Sequence, residues 1–191
     1  MSKPGRIIIL VAPSGSGKST IAKRLINEFP IIRFSVSATT RAPRTGETDG
    51  VDYHFLNENE FLKRKESGDF LESEKFYNGT RYGTLKSDVE NQLEKGYFVL
   101  LDIDVLGALN VKQMYGDDAL SIFISPPSLQ ELEKRLRNRG TEDEKALSVR
   151  LERASKEMQY AGRFDLNVVN DNLDQAYNDV KAAVEPFLKP K

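Results

Sequence analysis

Five consecutive apolar residues, 7–11, are followed at once by a segment rich in glycine and serine that ends in Gly17-Lys18-Ser19. Glycine adopts backbone conformations that point consecutive N–H groups inward, so Gly15 and Gly17 can help to form a cradle for an anion. A helix that begins near Lys18 adds unpaired amides and the positive end of its dipole. The pattern therefore predicts a buried strand, then a phosphate-binding loop, then a helix.

The side chains of this loop indicate its chemistry. Lys18 can reach the β- and γ-phosphates of a nucleotide, and the Ser19 hydroxyl can bind Mg²⁺. The strict pattern begins with glycine where this chain has Ala12, but a looser form accepts alanine because the residues nearest the phosphates come later. A chance turn between a strand and a helix is the alternative, and the intact Gly17-Lys18-Ser19 after an apolar strand favours the loop. The residues predicted to surround the phosphates are Ala12, Pro13, Ser14, Gly15, Ser16, Gly17, Lys18, Ser19 and Thr20.

Length, charge and cysteine content restrict the remaining function classes. The chain has 191 residues, which suits one compact domain with a substantial core. Its formal net charge of −1 argues against nucleic-acid binding through bulk positive charge. The absence of cysteine excludes disulfides and fits a reducing compartment, and the apolar runs are too short for a membrane span. We expect a cytoplasmic protein without a nucleic-acid or membrane partner.

Strands alternate with helices along the chain, which predicts a parallel sheet wrapped by helices. Apolar runs predict core strands at 6–11, 97–102, 119–124 and 166–169, and helices are expected at 18–29, 87–95 and 173–188. Residues 34–85 differ in texture, with short alternating pieces and one short helix near 58–67, and are predicted to form a small inserted lobe. A highly charged helical hairpin is expected over residues 128–161.

Asp102 ends the apolar run at 97–102, at the edge where open α/β sheets place their ligands. In proteins with a phosphate-binding loop, an acid at this point orients Mg²⁺ or holds it indirectly. An exposed aspartate at a strand end is a common alternative. Together with the loop, however, Asp102 favours a magnesium site formed by Ser19, with Asp102 acting through water.

The segment 34–47, FSVSATTRAPRTGE, is the most specific in the chain, and GVDYHF follows it at 50–55. Further blocks are FLE at 70–72, YGT at 82–84, LDID at 101–104, KRLRNRGT at 134–141 and VND at 169–171. In this order, and over nearly the whole chain, they resemble the guanylate-kinase family. The resemblance implies transfer of the γ-phosphoryl group of ATP to GMP, giving ADP and GDP, with dGMP open as a second acceptor.

The resemblance also implies a fold. It is the α/β fold of a nucleoside-monophosphate kinase with a phosphate-binding loop, in which helices flank a parallel five-stranded core sheet. Residues 1–191 are then one domain, with a core formed by 1–33, 86–127 and 162–191. The GMP-binding lobe spans 34–85, and a helical lid spans 128–161.

Three sets of site residues follow from the same resemblance. GMP is expected to contact Ser37, Arg41, Arg44, Tyr53, Glu72, Tyr82, Thr84, Asp102, Asp104 and Arg150. ATP is expected to contact the loop residues 12–20 together with Arg135, Arg139 and Asn170. The catalytic residues are expected to be Lys18, Arg41, Arg139 and Arg150.

Residue chemistry agrees with these roles. The two guanidinium groups of Arg41 and Arg44, with two tyrosine hydroxyls, suit a phosphate dianion, although two such arginines can also lie in a solvated loop. The Glu72 carboxylate can accept from guanine N1–H and N2–H, while the Ser37 and Thr84 hydroxyls can donate to O6. Adenine would present a lone pair to Glu72 and would be rejected.

The arginines of the charged hairpin resemble those of the family's lid, which close over the ATP phosphates and stabilise the negative charge of the transition state. Arg137 and Arg153 are expected to be solvated, because helices with many charges at i, i+4 spacing usually are. Asn170 resembles the family residue that contacts adenine.

Two other functions compete with this hypothesis. Guanylate-kinase-like domains also serve as peptide-binding modules, but those typically have a degraded phosphate-binding loop, whereas Lys18 and Ser19 are present here. A monophosphate kinase for another base is disfavoured by Glu72. We expect ATP and GMP as partners, Mg²⁺ as the cofactor, and a monomer or a homodimer.

Overall fold

The computed structural model describes residues 5–76, 79–138 and 144–189. Its strands are β1 (Ile7–Val11), β2 (Ile32–Phe34), β3 (Ser37–Thr39), β4 (His54–Phe55), β5 (Phe70–Lys75), β6 (Arg81–Leu85), β7 (Phe98–Asp102), β8 (Ala119–Ser125) and β9 (Leu166–Val169). Its helices are α1 (Lys18–Glu28), α2 (Glu58–Glu66), α3 (Lys86–Glu94), α4 (Val105–Tyr115), α5 (Leu129–Asn138), α6 (Glu144–Met158) and α7 (Leu173–Phe187). Within these described residues, no helix is both long and apolar enough to cross a membrane.

The larger sheet is parallel and has the strand order β2-β7-β1-β8-β9. Its central strand β1 is buried along its whole length, which explains why the sequence there is continuously apolar instead of alternating. β1 lies between β7 and β8 and pairs with both in parallel. The prediction of a parallel five-stranded sheet flanked by helices is confirmed.

Alternate residues of β1 enter two separate cores, because successive side chains of a strand point to opposite faces. Ile7 and Ile9 pack with residues of α3 and α4 on one face. On the other face, Ile8 and Leu10 pack with residues of α1 and α7. Helices on both faces leave the carboxyl edge of the sheet open for a ligand.

A second sheet, of order β4-β3-β6-β5, lies within residues 34–85. Its antiparallel β5 and β6 place Glu72 opposite Thr84 and Glu74 opposite Tyr82. The register of this pair shifts between Phe70 and Glu72. The pairing beyond the shift brings polar side chains of β5 and β6 next to one another.

The helices α5 and α6 form a hairpin with a small core of its own, centred on Leu132, Leu136 and Leu147. Each of these side chains is almost fully buried. The remaining faces of the two helices are charged, as the sequence predicts.

Two elements were missed at the sequence level. The helix α4 follows β7 directly and is started by Asp104, whose Oδ1 accepts from the backbone N–H groups of Leu106 and Gly107. Its sequence is largely apolar with a glycine in the first turn, so its amphipathic period is weak. The strand β2 is only three residues long, too short for a clear pattern. The other predicted core strands and single helices are present, with ends that differ by no more than one residue, and the hairpin predicted over 128–161 ends at Met158.

The packing of the core can be tested by replacing a buried leucine and an exposed leucine with alanine and comparing the two variants. Leu101 in β7 is fully buried, whereas Leu106 at the start of α4 is 60% exposed. We expect Leu101→Ala to lower the free energy of unfolding by about 2–5 kcal/mol, because it leaves a cavity beside β1. Leu106→Ala should change it by no more than about 0.5 kcal/mol. Urea denaturation measures both, and equal losses would contradict the assigned core.

Candidate active site

The loop between β1 and α1 has the backbone geometry that a phosphate-binding loop requires. Gly15 and Gly17 have φ angles of 96° and 91°, a region that L side chains rarely adopt. A Cβ on Gly17 would lie only 2.3 Å from Asn170 Nδ2. That amide donates to the carbonyl oxygen of Ser16 over 2.8 Å, so the buried Asn170 supports the loop from behind. The adenine contact that the family resemblance implies for Asn170 stays a prediction.

Lys18 and Asp102 meet at the carboxyl edge of the parallel sheet. The register pairs Leu10 of β1 with Asp102 of β7, and the Lys18 ammonium forms an ion pair with the Asp102 carboxylate. Ser19, the next residue along the chain, is exposed and lines a cavity that Lys18 and Asp102 also line. A hydroxyl and a carboxylate beside a phosphate cradle fit Mg²⁺, which in such sites takes most other ligands from the substrate and water. The described residues contain no group of three or more His, Cys, Asp or Glu side chains that could hold a metal without a substrate.

One cavity of about 600 Å³ joins the loop to the second sheet. The sequence-predicted residues that line it are the loop residues 12–20, Ser37, Arg44, Tyr53, Glu72, Tyr82, Asp102, Asp104 and Arg150. Four other predicted residues do not line the cavity but belong to its surroundings. Thr84 bonds to Glu72 and Asn170 to Ser16, both of which line it. Arg41 bonds to Glu47, which also binds the backbone of Arg44, and Arg135 bonds to Asn170. Arg139 lies outside the described residues.

Glu72 is the most perturbed acid of the cavity. Burial raises the pKa of its carboxyl to about 7, and the negative charges of Asp104 and Glu74 act in the same direction. A hydrogen bond of 2.6 Å from Thr84 Oγ1 to Glu72 Oε1 opposes the shift. The Thr84 hydroxyl is fully buried in this position, so it orients Glu72.

Arg41 is anchored by Glu47, an acid to which the sequence alone assigns no role. Its guanidinium makes two parallel bonds to Glu47, of 2.7 and 2.8 Å, and lies 5.0 Å from the centre of the Tyr53 ring. Glu47 also accepts from the backbone N–H of Arg44 over 2.7 Å. The bonds from Arg41 lower the pKa of the Glu47 carboxyl to about 2. Because the ionised Glu47 binds both the Arg41 side chain and the Arg44 backbone, it fixes the segment that places Arg44 on the cavity.

The helical hairpin contacts the phosphate-binding loop and Asn170, the residue that supports the loop. Arg150 of α6 donates to Ser14 Oγ over 3.1 Å. Arg135 of α5 donates to the carbonyl oxygen of Asn170 over 2.9 Å. Two positive side chains of the hairpin therefore already lie near the phosphate cradle.

Arg153 was expected to be solvated, but it spans the cavity. It bonds to Glu157 on its own helix over 2.7 Å and to both carboxylate oxygens of Glu74 on β5, over 3.0 and 3.1 Å. Its guanidinium also lies 4.6 Å from the centre of the Phe76 ring. The i, i+4 pair with Glu157 was visible in the sequence, whereas the partner on β5 was not. Arg137, in contrast, pairs with Glu133 and Glu144 on the exposed side of the hairpin.

Taken together, the parallel sheet, the phosphate-binding loop after its first strand and a buried polar pocket across the same cavity define a class. They are the features of a P-loop enzyme that transfers a phosphoryl group to a small acceptor.

Comparison with known proteins identifies the family. A family model described as guanylate kinase matches residues 4–186. The chain is 55% identical over 182 residues to a guanylate kinase of Salinibacter ruber, a match that covers 95% of this chain and 96% of the relative. It is 46% identical over 191 residues to a guanylate kinase of Chlorobium luteolum, covering 100% of this chain and 96% of the relative. The crystal structure of guanylate kinase from Anaplasma phagocytophilum matches with a TM-score of 0.78 and 31% identity, over 100% of this chain and 89% of that one.

The chain belongs to the guanylate kinase family, and the resemblance noted in the sequence is confirmed.

The titration of Glu72 makes stability depend on pH. Its pKa is about 7 in the folded chain, above the ordinary value of 4.5 expected after unfolding. The folded state therefore holds the proton more tightly, and the resulting stabilisation is complete below pH 4.5 and lost as pH rises through 7. We expect the free energy of unfolding of the wild type, minus that of Glu72→Gln, to be smaller at pH 8 than at pH 5. Urea denaturation at both pH values measures it, and a constant difference would contradict the burial of this carboxyl.

Proposed function

We propose that the chain acts as a guanylate kinase, an enzyme that transfers the γ-phosphoryl group of ATP to GMP and forms ADP and GDP. The observation that carries this proposal is that one shared cavity is lined by both the phosphate-binding loop and the buried carboxylate of Glu72. Direct transfer between two bound nucleotides needs this arrangement, and no covalent enzyme intermediate is required.

On the donor side, the loop amides and Lys18 bind the ATP phosphates. Lys18 is paired with Asp102 in the described structure, and a triphosphate offers it a stronger partner. Ser19 and Asp102 would hold Mg²⁺, which neutralises charge on the phosphates when it is bound. Arg150 lies against Ser14 of the loop, from where its positive charge stabilises the phosphoryl group in transit. Arg139, outside the described residues, is proposed for the same role.

On the acceptor side, Arg44, Tyr53 and Tyr82 line the cavity and bind the phosphate of GMP. Arg41 contributes its charge from behind Tyr53, since Glu47 fixes its guanidinium there. A planar guanidinium held in two parallel bonds keeps a defined orientation. The acceptor phosphate is thus aligned before transfer, which is a large part of the catalytic gain in such reactions.

Guanine recognition rests on carboxylates. When it is ionised, a carboxylate accepts hydrogen bonds and donates none. Glu72 accepts from guanine N1–H and N2–H, and Asp104 accepts from the exocyclic amine. Ser37 donates to O6, while Thr84 acts through the carboxylate of Glu72. Because two guanine donors favour the ionised form, binding of GMP lowers the pKa of Glu72 from its raised value.

The three parts of the chain have distinct roles in this proposal. Residues 1–33, 86–127 and 162–191 form the core, residues 34–85 bind GMP, and residues 128–161 form a lid over ATP. Enclosure of both substrates keeps water from accepting the phosphoryl group. We also propose that the enzyme is cytoplasmic, works as a monomer or a homodimer, and needs no nucleic acid or membrane.

The two competing functions are not favoured. A non-catalytic binding module would not need the intact loop or the Lys18–Asp102 pair, and several relatives at high coverage are guanylate kinases. A kinase for another base would not need a carboxylate pair at the base pocket. The use of dGMP is compatible with the same pocket.

The donor side is tested with Lys18→Ala. The variant should lower kcat by about 10²-fold or more, because one preorganised charge at the transferring phosphate is lost. The affinity for GMP alone should change by no more than about 2-fold, since the acceptor pocket is separate. Lys23→Ala, an exposed lysine on the same helix, is the matched control and should leave kcat unchanged. Unaltered turnover in Lys18→Ala would remove the role assigned to the loop.

Base recognition is tested with Glu72→Gln, which keeps the volume but replaces an acceptor oxygen with a donor. Against guanine, one bond is lost and two donors oppose each other, so kcat/KM for GMP should fall by about 10²-fold or more. Against adenine, the amide can donate to N1 and accept from N6–H, so AMP should improve relative to GMP.

Initial rates with GMP and AMP at fixed ATP and Mg²⁺ measure the preference. The exposed Glu66→Gln is the control and should leave it unchanged. If Glu72→Gln also leaves the GMP-to-AMP ratio unaltered, the base pocket is assigned wrongly.

A further inference from the structure

Gly107 lies in α4 at a position where neither helix formation nor backbone conformation explains the choice of glycine. It lies in the first turn of the helix and is buried. Glycine is a poor helix former, whereas alanine is the best, so an ordinary buried site in a helix would favour alanine. Its φ is not among the positive values of this chain, so the backbone conformation does not require glycine either.

The space beside Gly107 is filled by two carboxylate side chains. A Cβ placed there would lie 2.9 Å from Asp104 Oδ2 and 3.0 Å from both Cγ and Oε2 of Glu72. Ordinary contacts of a Cβ atom are 3.4–4 Å. A methyl group would therefore have to push both carboxylates away by several tenths of an ångström.

Neither carboxylate can move freely. Glu72 is held on the opposite side by the 2.6 Å bond from Thr84 Oγ1. Asp104 is held by its own role at the start of α4, where its Oδ1 accepts from Leu106 and Gly107 over 2.8 and 3.0 Å. A displacement of either side chain therefore costs a hydrogen bond that orients it.

We propose that Gly107 is a positioning residue for recognition of the acceptor base, because its missing side chain is what allows Glu72 and Asp104 to converge in the cavity. This inference rests on the proposed function, since it deepens the role of Glu72 and Asp104 toward guanine. The start of α4 is a favourable place for both acids, because its first amides and its dipole stabilise negative charge. Only a residue without Cβ lets them approach this closely.

The test is Gly107→Ala, measured with ATP, GMP and Mg²⁺. The KM for GMP should rise about 10-fold or more, because charged hydrogen bonds to the base lose their alignment. The KM for ATP should stay within about 2-fold, since the phosphate-binding loop is not touched. The thermal midpoint of unfolding should change little, because alanine favours the helix while the displaced carboxylates oppose it. A merely structural role would instead lower stability and affect both substrates alike.

Gly162→Ala is the matched control. A Cβ at Gly162 meets nothing within 4 Å, and its φ is not positive, so both KM values should stay at wild-type level. If the wild type and this control phosphorylate GMP while Gly107→Ala keeps the wild-type KM for GMP, the inference on Gly107 is overturned and the proposed function stands. If the wild type does not phosphorylate GMP, both are overturned.

Glu72→Ala provides a second test that also covers a failure of Gly107→Ala to fold. It removes both the Cγ and the Oε2 that the new methyl group would meet, so adding Gly107→Ala to it should raise the KM for GMP less than the same change does in the wild type. If Gly107→Ala alone does not fold, the double variant should fold. Equal effects in both backgrounds, or a double variant that still does not fold, would overturn the contact between Gly107 and Glu72 on which the inference depends.

Discussion

The parallel pairing of β1 with β7 is the constraint on which the remaining site geometry depends. β1 is buried along its whole length and β7 from Phe98 to Leu101, so neither can slip by one residue without exchanging its two faces. The resulting register sets Leu10 beside Asp102. Lys18, which follows the loop after β1, then meets Asp102, which ends β7. The packing of the core thus fixes the position of Lys18 relative to Asp102 at the edge of the sheet.

The pocket proposed to bind the acceptor combines burial with negative charge. Burial raises the pKa of Glu72 and Glu74, and the negative charge of Asp104 acts on both in the same direction. Such a group of acids is costly unless a ligand or a cation compensates it. Thr84 offsets part of the cost at Glu72, and the start of α4 does so at Asp104. What remains uncompensated suits an acceptor base that brings hydrogen-bond donors.

Arg153 links β5, beside Glu72, to the helical hairpin. Its contacts with Glu74, Phe76 and Glu157 bring α6 against β5 on one side of the cavity. Half-buried ion pairs of this kind contribute through geometry and shielding from water more than through net free energy. The hairpin is therefore held near the acceptor pocket by charge, while Arg150 and Arg135 approach the phosphate-binding loop.

The sequence by itself determined four of the five strands of the parallel sheet, the phosphate-binding loop, most helices and the family, because these depend on local patterns of apolar residues and on continuous motifs. It did not reveal α4, whose apolar residues surround the helix, or β2, which is too short for a pattern. Pairings between residues distant in the chain, such as Arg153 with Glu74, Thr84 with Glu72 and Asn170 with Ser16, were decided only by the tertiary structure. The role of Gly107 belongs to the same group. A missing Cβ matters only when packing brings two carboxylates to the space that it would fill.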